Sequence, residues 1–141
     1  MEKRRIYLNE FNVLMPNSAY LPLVSGLLRA HAETSGRIKD CCEFAPFNFI
    51  RKPVQLIVDG YRLPSVAAFS LSMWNEQYSL KLAESVKKKF PDCLIVFGGP
   101  QVPSSPARYF ETYPFVDVTA RGEGEVSFTQ VLERLLDSTE F

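Results

Sequence analysis

The sequence has little with which to hold a metal ion. It contains one histidine, His31, and three cysteines, Cys41, Cys42 and Cys93. Neither C-x-x-C nor C-x-x-x-C-x-x-C spacing occurs, so no zinc or iron–sulfur site of those kinds is encoded. An odd cysteine count without a secretory signal fits a reducing cytoplasm. The charged start, Met1–Arg5, is followed only by Ile6-Tyr7-Leu8 before Asn9 and Glu10, which reads as a strand rather than a signal peptide. No apolar run nears the roughly 18 residues of a membrane span. Net charge is missing too. Sixteen basic and 16 acidic side chains cancel, which counts against nucleic acid or an anionic membrane as partner.

The phosphate-binding loops are also absent. There is no G-x-G-x-x-G and no Walker loop, which counts against dinucleotides and nucleoside triphosphates. The segment after the first strand, Asn12–Ala19, contains no glycine and makes a poor flavodoxin phosphate loop. A phosphoacceptor receiver would need acidic residues after strand one, an aspartate ending strand three and a lysine ending strand five. The corresponding ends here are Ser70 and Ala120-Arg121.

What is present is an ordinary globular composition, 46% hydrophobic and 23% charged, over 141 residues. That suits one domain, 1–141, with a real core. Apolar runs at Arg5–Phe11, within Ile38–Phe49, and at Ser65–Ser70, Leu94–Phe97 and Val116–Ala120 read as strands. Between them, helical spacing marks Tyr20–Thr34, Pro53–Tyr61, Glu76–Phe90, about Pro106–Thr112, and Glu125–Leu136. On the first helix, Leu21, Val24, Leu28 and His31 share a face, and Gly36 reads as the stop. Asn75 is a candidate cap for the third helix, with Trp74 as a hydrophobic staple.

Strands alternating with helices imply an α/β, flavodoxin-like (Rossmann-like) three-layer sandwich. Its five-stranded parallel sheet is expected in the order 2-1-3-4-5. In such folds ligands bind beyond the carboxyl ends of the strands. The stretch Cys93–Glu125 contains two apolar runs that stop at glycines, Gly98-Gly99 and Gly122-Glu123-Gly124. Together with Ser70-Leu71-Ser72 they offer small side chains and open backbone at one edge, suited to a flat, mostly neutral heterocycle with a polar tail. The plainer readings are a tight Gly-Gly turn and glutamates matched to a helix dipole. Lys87–Lys89 and Arg4-Arg5 read as solvated, and Arg108 and Arg121 as optional phosphate contacts.

Four segments, read together, resemble a known family. They are Tyr20-Leu-Pro-Leu-Val-Ser-Gly-Leu-Leu28, Phe69-Ser-Leu-Ser-Met-Trp-Asn75, Phe97-Gly-Gly-Pro-Gln-Val-Pro103 and Phe115-Val-Asp-Val-Thr-Ala-Arg-Gly-Glu-Gly-Glu-Val-Ser-Phe128. In this order they look like the N-terminal cobalamin (B12)-binding domain of B12-dependent radical SAM proteins. The resemblance implies that the nucleotide tail enters a slot beside Ser70, Gly98, Gly99 and Pro100. It also implies that Ser72, Met73 and Trp74 line the corrin side, and that Gly122, Glu123 and Gly124 flank the tail. The D-x-H-x-x-G motif of the methionine-synthase-like branch is absent. His31 is expected mid-helix, far from the strand edge, so cobalamin is expected without a protein histidine on cobalt.

The family's S-adenosylmethionine and [4Fe-4S] chemistry needs a three-cysteine loop this chain does not carry. The resemblance therefore implies a radical SAM barrel elsewhere in a longer chain as partner. Methyl transfer is one family outcome. The rival from another class is a non-catalytic docking module, with the same fold and no bound cofactor.

Overall fold

The computed structural model describes residues 2–137. In chain order, β1 is Arg4–Asn9, followed by a small hairpin of β2 (Leu14–Met15) and β3 (Ser18–Ala19). Then come α1 (Leu23–Ala32), α2 (Gly36–Cys41), β4 (Cys42–Phe44), α3 (Val54–Gly60) and β5 (Pro64–Ser70). The remainder is α4 (Glu76–Lys89), β6 (Leu94–Gly98), α5 (Ala107–Thr112), β7 (Val118–Thr119) and α6 (Gly124–Asp137). The main sheet has the order β4-β1-β5-β6-β7, with every pair parallel. Leaving the hairpin aside, this is the expected order 2-1-3-4-5.

Side chains alternate across the sheet, as the two-residue period of a strand requires. Ile6, Leu8, Val66, Ala68, Leu94 and Val96 face one core, closed by Ala32, Ile38, Phe128 and Leu132 from α1, α2 and α6. Tyr7, Ala67, Phe69, Ile95 and Phe97 face the other, closed by Ile57 and Val58 of α3 and Leu80, Ala83 and Val86 of α4. Burial on both faces explains why these strands read as continuous apolar runs.

Local differences from the sequence reading have local causes. Gly36 does not simply end a helix. It opens α2, whose N-cap Ser35 accepts from the Ile38 backbone N–H, so the second strand shrinks to Cys42–Phe44. The fifth strand shortens to Val118–Thr119. Lys87 is not merely solvated: its ammonium lies 2.8 Å from Asp117, whose carboxylate also accepts from the Ile95 backbone N–H. Arg5 pairs with Glu43 at 3.3 Å and donates to the Arg62 carbonyl.

Candidate functional site

A cavity of about 720 Å³ opens at the carboxyl edge of the sheet, within the roughly 300–1,000 Å³ of small-molecule pockets. Its inner walls are Leu8, Ala68 and Val96 of the sheet on one side and Val24, Leu28 and Phe128 of α1 and α6 on the other. Ala68 sits between the longer side chains of the neighbouring strands, since β5 lies between β1 and β6. The small residue leaves the width of the slot.

The strand ends shape the mouth. Ser70 stands beside Gly98 in the register of β5 and β6. Beyond them the two chains are laced together, with the Leu71 N–H donating to the Gly98 carbonyl at 2.7 Å. Gly99 has φ +105°, and a Cβ there would lie 2.9 Å from the Leu71 nitrogen and nearer still to its carbonyl oxygen. Only glycine suits this close approach. Gly98 differs, because a Cβ on it would meet nothing nearer than the Ala120 carbonyl, at 3.7 Å. By strand alternation that Cβ would continue the Leu94–Val96 row into the cavity.

Asn75 does not cap α4 with its side chain. It is buried, and its amide fastens the mouth from below. Its Oδ1 accepts from the Ser72 N–H at 2.8 Å, while its Nδ2 donates to the Phe11 and Ser70 carbonyls, each at 2.9 Å. The turn from Ser70 to Trp74 is thereby tied to the end of β1. Trp74, about half exposed, lines the cavity, and its carbonyl accepts from the Arg51 guanidinium.

Glu10, immediately after β1, is a buried carboxylate in the cavity wall. Its Oε1 accepts from the Ser25 N–H at 2.7 Å and the Ser25 hydroxyl at 3.1 Å, and its Oε2 from the Asn12 amide at 3.2 Å. Pro22, the N-cap of α1, makes no side-chain cap. Glu10 supplies from another element the acceptor that the helix start lacks, and its charge suits the helix's positive end. Behind it, Asn9 donates to the Ala68 carbonyl and accepts from Asn48 and Tyr61. Burial holds the Tyr61 phenol well above its ordinary pKa, outweighing the favourable bond to Asn9. Burial likewise raises the thiols of Cys42, to about 11, and Cys93, to about 12.

Of the residues singled out in the sequence, Ser70, Ser72, Trp74, Gly98, Gly99, Pro100, Gly122, Glu123 and Gly124 all line this cavity. Met73 does not; it is 79% exposed. Gly122 takes φ +80° in the turn before α6, and Gly124 packs against Leu28, where a Cβ would lie 3.3 Å from Cδ2. His31 lies in the last turn of α1 and also lines the cavity, because α1 runs along the slot and its 24–28–31 face is turned to it; the sequence reading did not place it in the cavity wall. Glu10, Asn12 and Ser25 were not anticipated. Their signal was the position of Glu10 at the end of the first strand, where a fold of this kind places its ligands.

Charge in the lining is acidic. Glu10, Glu123 and Glu125 contribute to it, whereas no lysine or arginine among the described residues does, Arg108 and Arg121 included. A free phosphate or polyphosphate is poorly served there. A neutral aromatic group fits the apolar walls, with polar atoms left to the backbone and hydroxyls of the rim. Among the described residues there is also no cluster of three or more histidine, cysteine or acidic side chains able to hold a metal ion. No described helix is long and apolar enough to cross a membrane.

Fold and site together define a flavodoxin-like α/β domain with a ligand-sized slot beyond the strand ends. Solved structures share the fold. The receiver domain of RcsB from Salmonella enterica superposes with TM-score 0.62 at 14% identity, covering 99% of this chain and 93% of that one. A pilus assembly protein CpaE from Caulobacter crescentus gives TM-score 0.59 at 16% identity, covering 95% of each.

Sequence similarity is narrower. The chain is 42% identical over 142 residues to the cobalamin-dependent radical SAM methyltransferase TokK of Streptomyces tokunonensis. It is 38% identical over 139 residues to the 2-(S-pantetheinyl)-carbapenam-3-carboxylate methyltransferase of Streptantibioticus cattleyicolor. Both matches cover 98% of this chain and 20% of the relative, so the chain spans about a fifth of their length. No family model matches. The chain is thus homologous over nearly its whole length to a segment of two methyltransferases, one of them named as a cobalamin-dependent radical SAM enzyme, which bears out the resemblance carried by the four segments.

Proposed function

We propose that this chain is a cobalamin-binding domain of a larger B12-dependent radical SAM enzyme. The observation that carries the reading is the coincidence of two independent results. The four sequence segments converge on one apolar slot, and the proteins most of the chain resembles include one named as cobalamin-dependent. In this reading the dimethylbenzimidazole tail lies between the sheet and the α1/α6 pair, with Ala68 and Gly98 giving it room. Ser70, Ser72 and the backbone at Gly98–Pro100 and Gly122–Gly124 meet its polar atoms. Trp74 underlies the corrin ring, and no histidine of the chain is assigned to cobalt.

Cobalamin would supply methyl-carrying chemistry. The chain's own residues bind and orient it. S-Adenosylmethionine and an iron–sulfur cluster would belong to a barrel in the remaining length of the full protein. The rim supports such a neighbour: Val24, Trp74 and Val126 line the cavity, and the adjoining Leu21, Leu23 and Met73 are strongly exposed. Exposed apolar side chains gathered in this way mark a surface that another protein face covers.

The test is to incubate the chain with hydroxocobalamin, desalt it and record the visible spectrum. Retained corrin absorption at one equivalent is the expected result. A colourless protein, from a preparation shown to be folded by its far-UV spectrum, would favour the docking-module reading instead.

A further inference from the structure

The turn from Ser70 to Trp74 is held on its inner side by Asn75 and at its far end by the loop that follows β4. The Ser79 N–H donates to the Asn75 carbonyl as α4 begins. The Trp74 carbonyl lies one residue before that ladder. Its donor comes from Arg51, whose guanidinium reaches across from the loop between β4 and α3.

Arg51 is exposed, yet it is seated. Its guanidinium carbon stands 5.5 Å from the centroid of the Tyr78 ring, within cation–π range. A planar guanidinium with a ring on its face and a carbonyl at its edge has its orientation set by the two together. The ring is anchored in turn. Its hydroxyl donates to the Lys52 carbonyl and accepts from the Lys52 N–H. The ring also meets Phe11 edge-on, with centroids 4.7 Å apart, and Phe11 is fully buried just past β1. Contacts therefore run unbroken from the core through Tyr78 and Arg51 to the Trp74 backbone. Arg51 is not in the cavity lining, whereas Trp74 is.

We propose that Arg51 is a positioning residue for the corrin side of the site. By holding the Trp74 carbonyl it fixes the turn that presents the indole to the corrin ring, and it acts only through that turn. This rests on the cobalamin reading above.

The test uses hydroxocobalamin and cobinamide, which has the corrin ring but lacks the nucleotide tail. Dissociation constants are measured by visible titration for the wild-type chain, Arg51→Met, Arg51→Lys, Trp74→Ala and the Arg51→Met/Trp74→Ala double variant. Arg51→Met should weaken both ligands by the same factor, about fivefold, the scale of one exposed cation–π contact or hydrogen bond. Arg51→Lys, which keeps the charge and a donor, should recover part of the loss. In the Trp74→Ala background, Arg51→Met should cost little more. Trp74 is the only tryptophan, so its fluorescence anisotropy in the ligand-free chain reports the turn. Anisotropy should fall in Arg51→Met while the urea midpoint stays at the wild-type value. Unchanged affinity or unchanged anisotropy in Arg51→Met would overturn the proposal. So would an undiminished Arg51→Met loss in the Trp74→Ala background, or a lowered urea midpoint, which would make Arg51 a direct ligand contact or a general structural residue. Wild type binding neither ligand would instead remove the cobalamin reading itself, and this proposal with it.

Discussion

The glycine pair at the end of β6 can be separated into two jobs by substitution. Gly98 stands where an added Cβ would meet nothing nearer than the Ala120 carbonyl, at an ordinary contact distance of 3.7 Å. Valine there should leave the fold as stable as wild type or raise it by about 0.5–1 kcal/mol, since a glycine inside a strand is costly. Its three added carbons enter the slot beside Ser70. Overfilling a shaped site costs about 1–3 kcal/mol, or about 5- to 150-fold in affinity. Gly99 is the opposite case. Alanine there meets φ +105° and the Leu71 backbone. Backbone strain of about 1–2 kcal/mol and overpacking of about 1–3 kcal/mol together remove about 2–5 kcal/mol, a large share of ordinary domain stability. Urea unfolding and hydroxocobalamin titration on both variants check the pair. Gly98→Val binding as tightly as wild type would place the ligand elsewhere. An undiminished urea midpoint for Gly99→Ala would refute the close approach to Leu71.

Asn75→Ala strands the Ser72 N–H and two carbonyls, and should lower stability by about 2–4 kcal/mol as well as weaken hydroxocobalamin. Asn75→Asp keeps the acceptor for Ser72 but sets a carboxylate against the Phe11 and Ser70 carbonyls, so it should not restore the urea midpoint. Glu10→Ala leaves the first turn of α1 without its borrowed acceptor and should cost about 1–2 kcal/mol, read by urea unfolding. For the thiols, the folded pKa values of Cys42 and Cys93 lie above the ordinary value of 9.0. The folded state therefore holds these protons more tightly than the unfolded one. Their contribution to stability is complete below about pH 9 and falls as pH rises toward 11 to 12, which urea midpoints measured at pH 8 and pH 10.5 would show. At pH 8 a thiol reagent should label the half-buried Cys41 readily and reach Cys42 and Cys93 only after denaturant is added.

Much of the fold was legible because the strands are buried on both faces. Val66–Phe69 and Leu94–Phe97 have no polar side to blur the period, and their ends at Ser70 and Gly98 mark the edge directly. What sequence obscured was the first helix. Val24, Leu28 and His31 have the spacing of a core face, yet only Ser25 and Ala32 of α1 are fully buried. A helix face turned to a ligand slot and one turned to the core carry the same pattern. Placing His31 therefore required the packing of α1 beside α6. Glu10 was hidden for a related reason. A carboxylate following a strand looks solvated until the helix start that it caps is known to be Pro22, which offers no side-chain acceptor. Asn75 illustrates the converse, since its position before a helix suggested a cap, while its burial lets it bind three loop groups instead.

The central claim is that the tail of a cobalamin lies in the slot between the sheet and the α1/α6 pair. An experimental structure of the chain with hydroxocobalamin bound tests it most directly. Density for the benzimidazole between Ala68 and Leu28, with the corrin ring over the Ser72–Trp74 turn, is the result predicted here. A corrinoid held elsewhere, or one whose benzimidazole remains folded against its own cobalt outside the slot, would contradict it.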